Sequence, residues 1–87
     1  MDSSIPRASK FILQVVENQL NDNQPAEARQ ALERLIAAGF SEEDSKHLIG
    51  SAIAVEMRNV VQTSKPFNAE RYVELLGKLP ELPTERS

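Results

Sequence analysis

The side chains best suited to chemistry in this chain lie on one stretch, Ser41 to Val61 (SEEDSKHLIGSAIAVEMRNVV), which carries a central carboxylate and the sole histidine. At 100° per residue, Leu48, Ile49, Ala52, Ile53 and Val60 surround Glu56 near the middle of one apolar face, so its carboxylate is expected inside the fold. A lone buried carboxylate is costly and needs a cation, hydrogen-bond donors or a proton. Two readings follow. As a site, Glu56 is a general acid or base, or the anchor of a ligand amine, in an inter-helix pocket with Gln19 and Glu17 from an earlier helix. As scaffold, Glu56 is satisfied by Gln19, which falls in the middle of the first helix's apolar face, or by an arginine from a neighbouring helix. Structural pairs perturb carboxylates at least as often as catalysis does.

Glu43 stands one turn before His47 on the same face, so the two side chains can meet. A divalent metal on Glu43 and His47 is one reading, and it requires further oxygen or nitrogen ligands from another helix. The other is a solvent-facing hydrogen bond near a helix start. No cofactor is predicted otherwise. The face of Glu43 and His47 continues through Gly50, Ser51 and Ala54 to Arg58, a run of small residues that lets another helix approach closely. That neighbour is the first or second helix of the same chain, or a second copy across a dimer seam. Nucleophile signatures are missing: there is no cysteine, no Gly-x-Ser-x-Gly, and the three glycines lie too far apart for a phosphate-cradling loop.

Four helices must position these groups. Ser3 and Ser4 are candidate caps for a first helix over Arg7 to Asn21, whose stripe is Ile5, Ala8, Ile12, Val15, Val16 and Leu20, flanked by Phe11 and Leu13. Pro25 opens a second helix to Ala38, with Glu27 at the positive end of its dipole, a stripe of Ala28, Ala31, Leu32, Leu35 and Ile36, and Gly39 as its left-handed stop. Ser41 with Asp44 resembles a capping box at the start of a third helix, Glu42 to Gln62, about 30 Å long. Asn68 caps a fourth helix over residues 69–78. Phe67 there packs on Tyr72 as a hydrophobic staple, and Gly77 with Pro80 marks the end. Residues 79–87 read as an extended tail in which Leu79 and Leu82 tuck back and Thr84 to Ser87 fray. No period-two strand pattern occurs, so the expected fold is all-α: one domain over residues 1–87, a compact bundle of four helices joined by short loops.

Several segments carry a family resemblance: Val16-Glu17-Asn18-Gln19-Leu20, Gln24-Pro25-Ala26-Glu27, Leu32-Glu33-Arg34-Leu35, Gly39, Ser41, and His47 to Gly50. Over roughly Ile12 to Glu56 the chain resembles a small family of bacterial all-helical proteins with no assigned activity. The resemblance implies a short cytoplasmic helical protein. Members tend to carry histidines in the first helix and near the start of the third, spaced as for a metal. Here only His47 matches, Glu43 stands at one such position, and the first helix has no histidine.

The 87 residues suffice for one small core, and 40% apolar against 26% charged residues is an ordinary globular balance. Four aromatic residues leave that core aliphatic. A formal net charge of -3 lacks the basic footprint that neutralises phosphates, which argues against nucleic acid and anionic membrane as partners. MDSSIPRASK has no apolar run of a secretory signal, and no window approaches the roughly 20 apolar residues of a membrane span. The expected role is therefore a non-enzymatic cytoplasmic interaction module that binds a protein partner or self-associates; a third reading is a regulatory partner of a larger assembly that docks through the LPELP tail. The alternative is a small-molecule or metal-binding protein using the carboxylates and the histidine.

Overall fold

A computed structural model of the chain describes residues 7–82, which form α1 (Lys10–Asp22), α2 (Ala26–Ala37), α3 (Glu42–Thr63) and α4 (Ala69–Lys78). The all-α bundle expected from the periodicity is the fold observed, and no strand occurs among the described residues. The connections are residues 23–25, 38–41 and 64–68. α3 packs on each of the other helices, and so does α2, whereas α1 and α4 share no backbone-level packing. At 1.5 Å per residue α3 is about 33 Å long, close to the 36 Å longest dimension of the molecule. It is the element on which the rest is assembled. Among the described residues, no helix is long and apolar enough to cross a membrane.

Each helix end follows from local chemistry. α1 starts three residues later than its apolar stripe suggests, because Ser9, not Ser3 or Ser4, is its cap: Ile12 N–H donates to Ser9 Oγ at 3.2 Å. Ser3, Ser4, Ile5 and Pro6 lie outside the described residues, as do residues 83–87 of the tail. Asn23 closes α1 in the left-handed region (φ 55°), with Gln24 N–H reaching Gln19 O at 3.0 Å. α2 ends the same way at Gly39 (φ 110°), where Gly39 N–H meets Ile36 O and Phe40 N–H meets Leu35 O, the paired bonds of a Schellman turn. Pro25 is the residue before α2, not its first helical one. Ser41 and Asn68 cap α3 and α4 through the N–H groups of Asp44 and Arg71, both at 3.0 Å. Gly77 is not the stop of α4: it sits inside the helix, and Leu79 ends it with ordinary φ.

The core is aliphatic apart from Tyr72. It joins Val16 and Leu20 of α1, Ala28, Ala31, Leu32 and Leu35 of α2, Leu48, Ile49, Ala52 and Ile53 of α3, Leu75 and Leu76 of α4, and Leu79 just past its end. Leu79 and Leu82 do fold back onto it. Ile36, expected in the α2 stripe, is 43% exposed instead. It stands 100° beyond Leu35, at the edge of an arc already filled by Leu32 and Leu35. Gly50 marks the tightest crossing. A Cβ there would lie 2.9 Å from Ala8 Cβ and 3.0 Å from Ile12 Cγ2, so only glycine lets α1 and the segment before it come this close.

Candidate functional site

Glu56 is 1% exposed. Its Oε2 accepts the backbone N–H of Asn68 at 3.0 Å, and its Oε1 lies 3.7 Å from Arg71 Nη1 and 3.5 Å from Asn59 Nδ2. Asn68 is the N-cap of α4, and its own side chain holds the Arg71 N–H. In a capping box the acid three residues past the cap reaches back to the cap's N–H. Arginine occupies that position here, and the acid comes from the middle of α3 instead. Glu56 therefore completes the box across two helices and ties the start of α4 to α3. Its methylenes are flanked by the core while its carboxylate meets α4, which is how a charge is accommodated on an apolar face.

The same carboxylate floors a cleft of about 480 Å³ between the end of α3, the 64–68 connection and the start of α4. Asn59, Val60, Lys65, Phe67 and Arg71 also line it. A ligand amine entering this cleft would have to displace Arg71 or the Asn68 N–H to reach Glu56, since both oxygens are already engaged.

Gln19 does not reach Glu56. Its Oε1 accepts the Tyr72 hydroxyl at 2.6 Å, joining the two helices, α1 and α4, that otherwise do not pack. A polar residue in the centre of α1's apolar face thus answers the one buried phenol of the core. Burial pushes the Tyr72 hydroxyl above its usual range. Phe67 covers that ring edge-on, with centroids 5.8 Å apart at 64°, the expected staple.

Glu17 is likewise apart from Glu56. It pairs with Lys46 Nζ at 2.7 Å, and Lys46 also lies 3.3 Å from Glu42. The hydrogen bond to Glu17 raises the Lys46 pKa against the opposing effect of its partial burial. Glu17, Glu42, Glu43, Lys46 and His47 surround a second cleft, of about 370 Å³.

His47 is 6% exposed, not solvent-facing. Its Nδ1 accepts the backbone N–H of Ala8 at 3.0 Å, and its Nε2 lies 4.0 Å from Glu43 Oε2. A neutral imidazole has one lone pair in its ring plane, here given to Ala8, so Nε2 carries the hydrogen and offers nothing to a metal. Among the described residues, no group of three or more His, Asp or Glu side chains is arranged to hold a metal ion. The residues named from sequence therefore fall into three separate places: Glu56 with α4, Gln19 with Tyr72, and Glu17 beside Glu43 and His47 with Lys46 between.

Two residues that carry equal weight gave no signal. Arg29 Nη2 donates to Leu20 O at 3.2 Å, and Arg34 Nη2 to Leu76 O and Leu79 O at 3.1 and 2.8 Å. From α2 they add a donor to carbonyls at the ends of α1 and α4. An arginine on the polar side of an amphipathic helix looks solvated until its neighbours are known. Lys46, four residues after Glu42, did carry a signal of the i, i+4 kind.

The small-residue face of α3 is split. Its first half, at His47 and Gly50, is covered by Ala8 and Ile12. Farther along it Ala54 is exposed, and beside that face stand two exposed large apolar residues, Met57 at 39% and Val61 at 79%. Comparison of the chain with protein families, curated proteins and solved structures finds no match.

Proposed function

We propose that this chain is a non-enzymatic helical module that binds one helix of a protein partner along the outer face of α3, that helix being amphipathic and acid-flanked. The observation that supports this reading is the bare stripe of Ala54, Met57 and Val61, which lies opposite the core face of the same helix. Apolar side chains on the solvent side of a two-faced helix are what a partner helix would cover. Charge selects the occupant. Past Val61 the first charged residue is Lys65, a cation in a chain of net charge -3. Two copies meeting by this face would oppose like charges, whereas acidic flanks on a partner helix complement them. The polar groups suited to chemistry are engaged in holding helices together, which supports a role without catalysis.

The test is an NMR titration with two synthetic helical peptides of about 15 residues, each with leucines at i, i+3 and i+4, one flanked by glutamates and one by lysines. Shifts confined to Ala54, Met57, Val61 and their neighbours, seen only with the acidic peptide and abolished by Val61→Glu, support the proposal. Shifts elsewhere, equal binding of both peptides, or a dimer in light scattering that buries this face would overturn it.

A further inference from the structure

We propose that His47 and the backbone N–H of Ala8 form an acid-released latch that fastens the segment leading into α1 onto the first turns of α3. The geometry is specific. Arg7 and Ala8 precede the helix, so neither N–H has an intrahelical partner, and the Ala8 N–H finds one 39 residues away at His47 Nδ1, 3.0 Å distant. That nitrogen accepts only while the ring is neutral. Once a proton occupies Nδ1, two donors face each other at hydrogen-bond distance and must part. Imidazole is the side chain whose charge ordinarily changes between pH 5 and 8.

The charged groups around the ring do not replace the lost bond. On its own helix, Glu43 lies 4.0 Å from Nε2, where it attracts the imidazolium but leaves Ala8 without an acceptor. From the preceding segment, Arg7 lies 3.9 Å from Glu43, competing for that carboxylate, and 3.6 Å from Asp44. From α1, Glu17 is held by Lys46, which also meets Glu42. What the latch covers is Gly50, where Ala8 and Ile12 sit within contact of any added atom. Acid release therefore uncovers the Ala8 side of Gly50, while Ile12 of α1 stays against it. The latch does not depend on the docking role proposed above.

The sole histidine gives a single reporter. In the wild-type chain, the Ala8 amide resonance and the His47 ring protons should follow one titration curve. Ala8 exchange protection, corrected for intrinsic rates, should fall about tenfold as pH is lowered through the range in which the ring itself is seen to protonate. His47→Asn places an amide oxygen near the Nδ1 position and should hold the latch across that range. His47→Phe should leave Ala8 unprotected throughout. The proposal is overturned if wild-type Ala8 does not respond while the ring titrates, or if His47→Asn retains the wild-type pH dependence. The wild-type measurement stands even if a variant fails to fold.

Discussion

Replacing Glu56 asks whether that carboxylate is scaffold or site. Glu56→Ala removes the acceptor of the Asn68 N–H, and an unsatisfied buried donor costs about 1–3 kcal/mol. The adjoining cleft admits water to that donor, which favours the lower part of the range, while the lost methylenes add to it. The net expectation is about 2 kcal/mol, or a fall in Tm of roughly 8–16 °C for a domain of this size. Glu56→Gln keeps an oxygen for Asn68 but sets an amide NH2 where Oε1 met Arg71 Nη1 and Asn59 Nδ2. That guanidinium is 46% exposed and 3.7 Å away, so solvent screens most of the pair, and the cost is about 1 kcal/mol or less.

Thermal unfolding followed by circular dichroism gives the ranking, and hydrogen exchange gives the location. Loss of protection in Glu56→Ala should concentrate at Asn68 to Arg71, the turn that the carboxylate holds. A functional carboxylate behaves in the opposite sense, because residues kept for activity at the expense of packing stabilise the fold when replaced. A raised Tm in Glu56→Gln, or a loss in Glu56→Ala that spares the start of α4, would refute the capping argument.

Two glycines in helices should respond with opposite signs. Gly50→Ala gains about 1 kcal/mol of helix propensity but forces its Cβ to 2.9 Å from Ala8 Cβ. Overpacking at about 1–3 kcal/mol wins, and adding Ala8→Gly should recover part of the loss in a chemical denaturation series. Gly77→Ala meets nothing within 4 Å, so it should stabilise by about 0.5–1 kcal/mol. In alkali, both Tyr72 and Lys46 have folded pKa values raised above their unfolded ones. Their contributions are complete below about pH 10 and are lost as pH rises through the folded values. Tyrosinate absorbance, which reports the single tyrosine, should therefore lag behind that of unfolded chain, and Tyr72→Phe should flatten the decline of stability above that pH.

The helices were legible because their signals are local: apolar spacing, Ser41, Asn68, Gly39 and the Phe67–Tyr72 staple all act within a few residues. α1 was misjudged at its start because three serines compete as caps, and the choice of Ser9 is coupled to a bond from Ala8 to His47, 39 residues away. Burial of Glu56 was readable from its position on α3, yet its partner was not. Gln19 and an arginine fitted the pattern equally, and only the placement of α4 directs Gln19 to Tyr72 and Arg71 to Glu56. Arg29 and Arg34 were invisible for the same reason. A long polar side chain declares its role only when the carbonyls it reaches are in place.

Those long-range bonds share one logic. A bundle of short helices leaves many backbone groups unpaired at helix ends, and a core with few aromatic residues has little else to orient its elements. Here the ends are closed from other helices: Glu56 of α3 holds the start of α4, Arg34 of α2 its finish, Arg29 the finish of α1, and His47 the segment before α1. Each bond needs both a formed helix end and a correctly placed neighbour, so it rewards only the native arrangement. Gln19, Arg34, Gly39, Ser41, His47 and Gly50 all stand at helix ends or crossings. A pattern of this kind specifies how helices meet. In the docking role proposed above, recognition falls to α3 positions outside these bonds, Ala54, Met57 and Val61.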